Sequence, residues 1–342
     1  MSRAADDASA QSMELPGKTG RLATPGSSYW SLLLRAKLLR AAAGFAFNLH
    51  RLIYRLPSPS STQWIDSTLG QERGKRIIRL DMYHPPNAPT SARRPAMVTF
   101  HGGGFVLGSG TDDASYAASL TAHGLTVIAV SYRMAPEHPF PTPLEDCASA
   151  IIYLEQNAES LGIDPEQLYI SGFSAGGNLA LACLHLLDNP KSFNYDIPSP
   201  PRVRGAILFY PLLDWAKTRD EKRNECERPD LTLPPGLTNL FDDSYLRRGP
   251  GMDLSTPLLS PGAASDDLLR KLPPIHLVVC EHDMLRREGH RLATRLKDLE
   301  KDVGERVVAG ERHGWDKSPF TIKASVEVEY KASLEALKAW LG

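Results

Sequence analysis

The chain has 342 residues, of which 42% are hydrophobic and 23% are charged, the composition of an ordinary globular protein. Its 39 Lys and Arg residues nearly balance its 40 Asp and Glu residues, giving a formal net charge of −1 at pH 7. This balance lacks the basic footprint of nucleic-acid-binding proteins, so we expect no nucleic-acid partner. Four cysteines without metal-ligand spacing indicate free thiols, no bound metal and a reducing, cytoplasmic location: Cys147, Cys183, Cys226 and Cys280.

The N-terminal region divides into two parts. Residues 1–27 are rich in Ala, Ser, Gly and Pro and lack the apolar core of a secretory signal, so we expect a mobile tail. Residues 28–56 mix leucines and aromatic residues with five basic residues and no acidic one. Two interpretations stay open for this segment: a helix that caps a pocket, which the order of the later elements favours, and a basic helix lying on a membrane surface.

From residue 76 onward, apolar runs alternate with helical patterns, which predicts an α/β fold with a mostly parallel central sheet flanked by helices. Four of the runs, MVTF, VIAVSY, AILFY and IHLVV, are almost continuously apolar, as expected for strands that are covered on both faces. The predicted strands cover residues 76–83, 96–100, 126–131, 168–171, 205–210, 275–280 and 305–308. The predicted helices cover residues 114–123, 144–161, 176–187 and 286–299.

A proline-rich, charged segment at residues 215–262 interrupts this alternation. A long excursion at such a point of an α/β core usually forms a functional lid. We therefore predict a helical cap made of residues 28–60 and 212–262, above a core made of residues 61–211 and 263–342.

Ser174 is the candidate nucleophile, at the centre of the pentapeptide GFSAG between a predicted strand and a predicted helix. Glycines two positions on either side remove the Cβ atoms that would clash in a sharp strand-to-helix turn. The N-terminus of the following helix favours a developing negative charge. The pentapeptide alone also fits a plain glycine-serine turn, and it is the flanking strand and helix that favour a nucleophile.

The sequence HGGGF at residues 101–105 directly follows another predicted strand. Successive glycines leave main-chain N–H groups free to point into a cavity, where they stabilise the oxyanion of acyl transfer. We assign the N–H groups of Gly103, Gly104 and Ala175 to this oxyanion hole. No GKS/T or complete GxGxxG pattern is present, which argues against a phosphate loop, and we interpret His101 as a structural residue that braces the loop.

A serine hydroxyl needs a neighbouring base, and that base needs an orienting carboxylate. His313 follows the last predicted strand, and Asp283 follows the strand before it, so both are expected at the same edge of the sheet as Ser174. We therefore predict Ser174, Asp283 and His313 as a catalytic triad. Asp214 also follows a predicted strand and is a rival for the acid, although a pocket or structural role is favoured.

Five motifs in this order resemble the hormone-sensitive-lipase group of α/β-hydrolases, the carboxylesterases with an HGGG motif. The resemblance runs from Trp64 to the C-terminus and implies a helical cap, no metal and no organic cofactor, and hydrolysis of short or medium acyl esters. Its motifs are HGGGF at 101–105, YRMAPEHPFP at 132–141, GFSAGGN at 172–178, HDML at 282–285 and HGW at 313–315. It also implies scaffold residues that brace the active-site loops, namely Tyr132, Arg133, Pro136, Glu137 and Asp146.

The chain departs from the pattern of this group at two positions. Phe173 stands where the group often has Asp or Glu, and Trp315 stands where Phe is commoner. Neither change removes a reacting group, so we interpret both as variation in the pocket or its support. Phe105, Phe173, Asp214 and Trp315 are the predicted substrate-binding residues.

These observations favour a serine carboxylesterase that acts on a small-molecule ester, with a homodimer left open. The alternative is a tailoring enzyme of secondary metabolism, either a hydrolase or a non-hydrolytic lyase or cyclase, acting on one bulky ester, lactone or thioester. A ligand-binding receptor built on an inactive hydrolase is disfavoured because all three triad residues are present.

Overall fold

The structure is a computed structural model that describes residues 28–86, 93–247, 251–318 and 320–341, so the predicted tail at residues 1–27 lies outside it. In the described part the strands are β1 Ser61–Ser67, β2 Gly74–Tyr83, β3 Arg94–Phe100, β4 Thr126–Ser131, β5 Ile163–Phe173, β6 Ala206–Phe209, β7 Ile275–His282 and β8 Val303–Arg312. The α-helices are α1 Tyr29–Ile53, α2 Ala114–Thr121, α3 Thr142–Gln156, α4 Ala158–Leu161, α5 Ala175–Asp188, α6 Arg219–Asn224, α7 Pro235–Tyr245, α8 Asp266–Leu269, α9 Arg286–Asp298 and α10 Ala324–Leu341.

The strands form one sheet in the order β1-β2-β4-β3-β5-β6-β7-β8. The pairs β1–β2 and β2–β4 are antiparallel, and every other neighbouring pair is parallel. This confirms the predicted α/β fold. The sequence did not predict β1, because this edge strand is polar and half-exposed and its sequence STQWIDS offers no apolar run.

The central strands are buried on both faces, and their alternate residues point into two different apolar layers. In β3, Val98 and Phe100 join the apolar layer that contains residues of α3 and α5, whereas Met97 joins the layer that contains residues of α2 and α10. All three side chains are fully buried. Burial on both faces explains why the central strands read as continuous apolar runs rather than as alternating ones.

Helix α1 lies against the loops that follow β3 and β4. Arg40 donates hydrogen bonds to the carbonyl oxygens of Val106 and Ala135 and forms a paired contact with the Glu137 carboxylate at 2.8 and 2.9 Å. The helix also packs against α7. None of the helices in the described residues is long and apolar enough to cross a membrane. These contacts agree with a capping helix, and the cap boundaries at residues 28–60 and 212–262 stay a prediction.

All four cysteines are free thiols. Cys147, Cys183 and Cys280 are buried in the core, as their apolar segments indicated, and Cys226 is partly exposed. Burial raises the pKa of the Cys147 and Cys183 thiols well above the usual range.

Candidate active site

The turn between β5 and α5 holds Ser174 in a conformation that side chains rarely adopt, with φ 54° and ψ −113°. The turn is tight: a Cβ atom at Gly172 would lie 2.1 Å from the Gly176 oxygen, and one at Gly176 would lie 1.9 Å from the Phe100 oxygen. Both glycines are therefore required by close backbone approach. The turn presents the serine at the carboxyl edge of the sheet, at the N-terminus of α5.

The imidazole of His313 bridges the hydroxyl of Ser174 and the carboxylate of Asp283. Its Nε2 lies 2.8 Å from Ser174 Oγ, and its Nδ1 lies 2.6 Å from Asp283 Oδ2. Asp283 follows β7 and His313 follows β8, so the parallel strands bring the three side chains to one edge. The other oxygen of Asp283 accepts the Leu285 N–H at 3.0 Å, which fixes the carboxylate toward the imidazole. This arrangement can move a proton from hydroxyl to imidazole while the carboxylate stabilises the imidazolium.

The glycine-rich loop after β3 lies directly beside this group. Gly103, Gly104 and Phe105 follow one another with positive φ values of 108°, 61° and 63°. A Cβ atom at Gly102 would lie 3.6 Å from the Cβ of Ser174, which shows how closely the loop approaches the nucleophile turn. Successive main-chain N–H groups in a turn can form a concavity that binds anions.

His101 and Tyr132 support this loop from beneath. Their rings stack with centroids 4.2 Å apart, and the Tyr132 hydroxyl donates to the His101 carbonyl oxygen at 2.8 Å. Burial lowers the pKa of His101 to about 4, so the imidazole is neutral near pH 7. Its Nδ1 lies 2.8 Å from the Gly102 oxygen, a contact with the loop backbone rather than with the reacting groups.

Further support comes from a buried ion pair between Arg133 and Asp146. Arg133 donates to the two carboxylate oxygens at 2.9 and 2.7 Å, and Ser67 Oγ donates to one of them at 2.7 Å. These contacts tie the loop after β4 to α3 and to the edge strand β1. Arg133 and Asp146, two of the residues predicted as scaffold, therefore brace these segments through contacts that do not include the reacting groups.

Lys317, in the loop after His313, is a charged residue that the sequence reasoning missed. Its ammonium lies 2.7 Å from Asp113 and 3.0 Å from Asp316, and 3.5 Å from the centroid of the Phe173 ring. Burial lowers the pKa of Lys317, but the two carboxylates outweigh this effect and the pKa is raised overall. The lysine is therefore cationic and holds the His313 loop against the segment that follows the glycine-rich loop.

Asp316 anchors the same loop through two tyrosines. Tyr210 donates to it at 2.5 Å and Tyr330 donates to it at 2.8 Å. The Tyr210 ring also packs edge-on against the His313 imidazole, with centroids 4.8 Å apart. The packing of the Tyr210 ring thus helps to fix the position of the imidazole, together with its hydrogen bonds.

A cavity of about 220 Å³ opens at Ser174. Of the predicted substrate-binding residues, Phe105 and Phe173 line it. The sequence reasoning missed the side chains that close the cavity from α1, α7 and the segment between α6 and α7, and a partly buried arginine of α6. These lining residues are Phe47, Arg219, Leu233, Leu237, Thr238 and Phe241. The proline pair Pro234 and Pro235 could have indicated the start of α7, since proline is favoured at the first helical position.

The structure places the other two predicted substrate-binding residues outside this cavity. Asp214 lines a separate pocket and accepts the Ala216 N–H at 2.9 Å, so its side chain caps its own turn. It has no contact with His313, which also removes it as the rival acid. Trp315 is buried behind the site, edge-on to Tyr210 at 5.4 Å. Its side chain packs the support of the His313 loop and does not line the cavity.

Three features together define an α/β-hydrolase: the topology of the sheet, the sharp turn that holds Ser174, and the position of Asp283 and His313 at the same edge of the sheet. Residues 97–317, more than half of the chain, match the family described as the alpha/beta hydrolase fold. The chain is 34% identical to an arylesterase of Saccharolobus solfataricus over 74% of this chain and 79% of that protein. It is 29% identical to lipase 2 of Moraxella sp. over 75% of this chain, which spans 63% of that lipase.

Solved structures agree with this relationship. The Pyrobaculum calidifontis esterase superposes with a TM-score of 0.75 at 28% identity, covering 89% of this chain and 93% of that one. The chain therefore belongs to the α/β-hydrolase family, in its hormone-sensitive-lipase-like group. The predicted class of carboxylic ester hydrolase is confirmed.

Proposed function

We propose that this protein is a serine carboxylesterase that cleaves short-to-medium acyl esters through Ser174, His313 and Asp283. The observation that carries the proposal is the continuous hydrogen-bond chain from Ser174 Oγ through the imidazole to Asp283, with distances of 2.8 and 2.6 Å. A nucleophile, a base and an orienting acid in contact are the parts that acyl transfer from an ester requires.

In the proposed reaction, Ser174 Oγ attacks the ester carbonyl carbon while His313 Nε2 takes the hydroxyl proton. The tetrahedral intermediate collapses, and the imidazolium gives the proton to the leaving alcohol. Water then attacks the acyl-enzyme, His313 again takes a proton, and the carboxylic acid leaves with Ser174 restored. The Asp283 carboxylate accepts the hydrogen bond from His313 Nδ1 and stabilises the imidazolium.

The oxyanion of each tetrahedral intermediate would accept hydrogen bonds from the N–H groups of Gly103, Gly104 and Ala175. Two features support this assignment: the left-handed backbone of the loop beside Ser174, and the position of Ala175 as the first residue of α5. The first N–H groups of a helix have no intrahelical partner and remain available. A donor of this kind contributes about 2.7–4 kcal/mol to stabilisation of the transition state.

The size of the cavity favours small substrates. Its volume of about 220 Å³ is below the roughly 300–1,000 Å³ of pockets that hold drug-sized ligands. Leu233, Leu237 and Phe241 give it an apolar side next to Ser174, which suits an aliphatic acyl chain. The alternative of a tailoring enzyme for one bulky natural product is not favoured, since the relatives are esterases and the cavity is small.

The test compares wild-type protein with Ser174→Ala on p-nitrophenyl esters of increasing acyl length. We expect kcat to fall by about 10⁴–10⁶-fold in the variant, because the nucleophile is lost while binding surfaces remain. The matched control is Ser192→Ala, which removes an exposed hydroxyl of a short surface turn and should keep full turnover.

Acyl-length dependence tests the substrate class separately. Acetate and butyrate esters should be turned over, and palmitate esters should be poor substrates. A fluorophosphonate probe should label the wild-type protein and the Ser192→Ala variant, and should fail to label Ser174→Ala. Equal turnover in Ser174→Ala, or unchanged labelling of it, would contradict the proposed nucleophile.

A further inference from the structure

Helix α1 exposes a concentration of large apolar side chains. Six of the eleven large hydrophobic residues that are exposed in the described part of the chain lie on this one helix. Their exposed fractions lie between 55% and 76%. We define the apolar stripe as Trp30, Leu34, Leu38, Phe45 and Leu52; the sixth residue, Ile53, adjoins its end. Scattered exposed hydrophobic residues are normal in globular proteins, whereas a contiguous set marks an interaction surface.

The stripe runs along one side of α1. Its residues are separated by four, four, seven and seven positions, the spacings that repeat on one face of a helix with 3.6 residues per turn. The buried residues Leu32, Ala36 and His50 lie on the opposite side, toward the body of the protein. At 1.5 Å per residue the stripe is about 33 Å long. The helix therefore has two apolar sides: one packs against the body of the protein, and the other faces outward.

The charges of α1 are all positive. The helix contains Arg35, Lys37, Arg40 and Arg51, and no acidic residue. Glu137, from the loop after β4, pairs with Lys37 and Arg40. Arg35 donates to a carbonyl oxygen, a contact that leaves its charge uncompensated. Arg51 donates to a serine hydroxyl and interacts electrostatically with the Asp112 carboxylate. Of these cations, Arg35 and Lys37 are exposed, so the outer side of α1 presents positive charge and no acidic residue of its own.

The exposed apolar surface continues beyond the end of α1. The Tyr54 hydroxyl, one residue past the helix, donates to the Phe320 carbonyl oxygen at 2.7 Å. The Phe320 side chain is 68% exposed and Ile322 is 45% exposed. Two separate segments of the chain therefore contribute apolar side chains to the same region.

We propose that the apolar stripe binds the surface of a membrane that contains anionic phospholipids, with α1 lying in the plane of the interface. An apolar face flanked by Lys and Arg suits this position, because acyl chains accept the hydrophobic residues while anionic headgroups attract the cations. A second copy of the chain is a poorer occupant. Pairing two such helices would bring one set of cations against another, which costs energy at low ionic strength.

This position would serve the proposed esterase. Phe47, on the inward side of α1, lines the cavity at Ser174. Binding through the outer side of the same helix would hold the cavity close to the membrane, where apolar esters concentrate. This consequence rests on the proposed function, whereas the binding itself does not.

The test is co-sedimentation of the full chain with vesicles, either of phosphatidylcholine alone or of phosphatidylcholine and phosphatidylglycerol in equal amounts. We expect binding to the anionic vesicles that weakens as salt rises, since salt screens the headgroup charges. The triple variant Leu34→Gln, Leu38→Gln and Phe45→Gln should bind at least tenfold more weakly, because each buried apolar side chain contributes substantially to partitioning.

The matched control is the double variant Trp64→Gln and Val328→Gln. It removes exposed apolar residues from β1 and α10, which are 51% and 54% exposed, and should bind like the wild type. The inactive Ser174→Ala variant should also bind like the wild type, so the vesicle result does not depend on catalysis. Thermal unfolding of each variant checks that the fold is intact.

Three outcomes would overturn the proposal. The first is failure of the wild-type chain to bind anionic vesicles at low salt. The second is undiminished binding by the triple variant. The third is a wild-type dimer that becomes a monomer in the triple variant, as measured by light scattering, because the stripe would then be an interface between two copies.

Discussion

A buried ion pair joins α6, in the segment that closes the cavity, to α9, the helix that follows Asp283. Lys222 of α6 and Glu288 of α9 lie 2.5 Å apart, and each side chain is only 3% exposed. Glu288 also accepts the Leu213 N–H at 2.7 Å, and Lys222 donates to the Asp214 carbonyl oxygen. Burial raises the pKa of Glu288 and lowers the pKa of Lys222, so each charge is stabilised mainly by the other.

Replacing Lys222 with Met leaves the Glu288 carboxylate buried without its cation. Breaking a buried pair in this way destabilises a protein by about 3–5 kcal/mol. At about 2.1 cal/mol/K per residue, a chain of 342 residues has an unfolding entropy of roughly 0.7 kcal/mol/K, so Tm should fall by about 4–7 °C. Adding Glu288→Gln removes the stranded charge and keeps an acceptor for Leu213, so the double variant should recover most of the loss.

The loss should also depend on pH in a defined direction. Without Lys222, the folded-state pKa of Glu288 rises further above its unfolded value of about 4.5. A group with a raised folded pKa contributes stability that is fully present below the unfolded pKa and is lost as the pH rises through the folded pKa. Lys222→Met should therefore be destabilised more at about pH 8 than at about pH 5.

Circular dichroism during heating, and urea unfolding at the same two pH values, measure these differences. Wild-type protein, Lys222→Met and the double variant with Glu288→Gln form the matched set. The reasoning is refuted if Lys222→Met unfolds at the wild-type temperature at about pH 8, or if the double variant is as unstable there as the single one.

Two further predictions concern the site itself. Gly104→Ala should lower kcat on p-nitrophenyl butyrate by about 10²–10³-fold. The reason is that φ at Gly104 is 61° and the new Cβ would lie 2.1 Å from the Phe241 ring. The control is Gly44→Ala, in open space on α1, which should keep full turnover. Asp112, in the short helical turn Gly110–Asp113, lines the cavity. Burial, with a smaller contribution from the Asp113 carboxylate, raises the pKa of Asp112 to about 7. The stability that protonated Asp112 contributes is fully present below the unfolded pKa of 3.8 and is lost as the pH rises through about 7. Asp112→Asn is neutral at every pH, so it should raise Tm relative to wild type at about pH 8 and change it little at about pH 4. A Tm difference between Asp112→Asn and wild type that stayed constant with pH would contradict this assignment.

The reacting residues were predictable because the sheet itself brings them together. Ser174 and Asp283 follow strands whose apolar residues are visible in the sequence, His313 follows the last predicted strand, and parallel strands end at one edge. Contacts across the cavity were not predictable in this way. Leu237 and Phe241 reach the cavity from an insertion whose path over the core depends on tertiary packing.

The sequence also left more than one role open for a single residue. Asp214 follows a strand, as a triad acid does, but its carboxylate accepts the Ala216 N–H, a role that aspartate commonly takes in turns. The Lys317–Asp113 pair gave no signal at all, because the two residues are far apart in the sequence and only the folded sheet brings them within 2.7 Å.

Phe173 shows how the site accommodates its departure from the resemblance. A carboxylate at position 173 would lie next to a cluster that already contains Asp113 and Asp316 around the single ammonium of Lys317. The aromatic ring instead presents its face to that ammonium at 3.5 Å, an interaction worth about 2 kcal/mol or more when desolvated. It also stacks on Phe209 with centroids 4.5 Å apart. Phe173 therefore supports the His313 loop through its aromatic ring, while the hydroxyl, imidazole and carboxylate stay in contact.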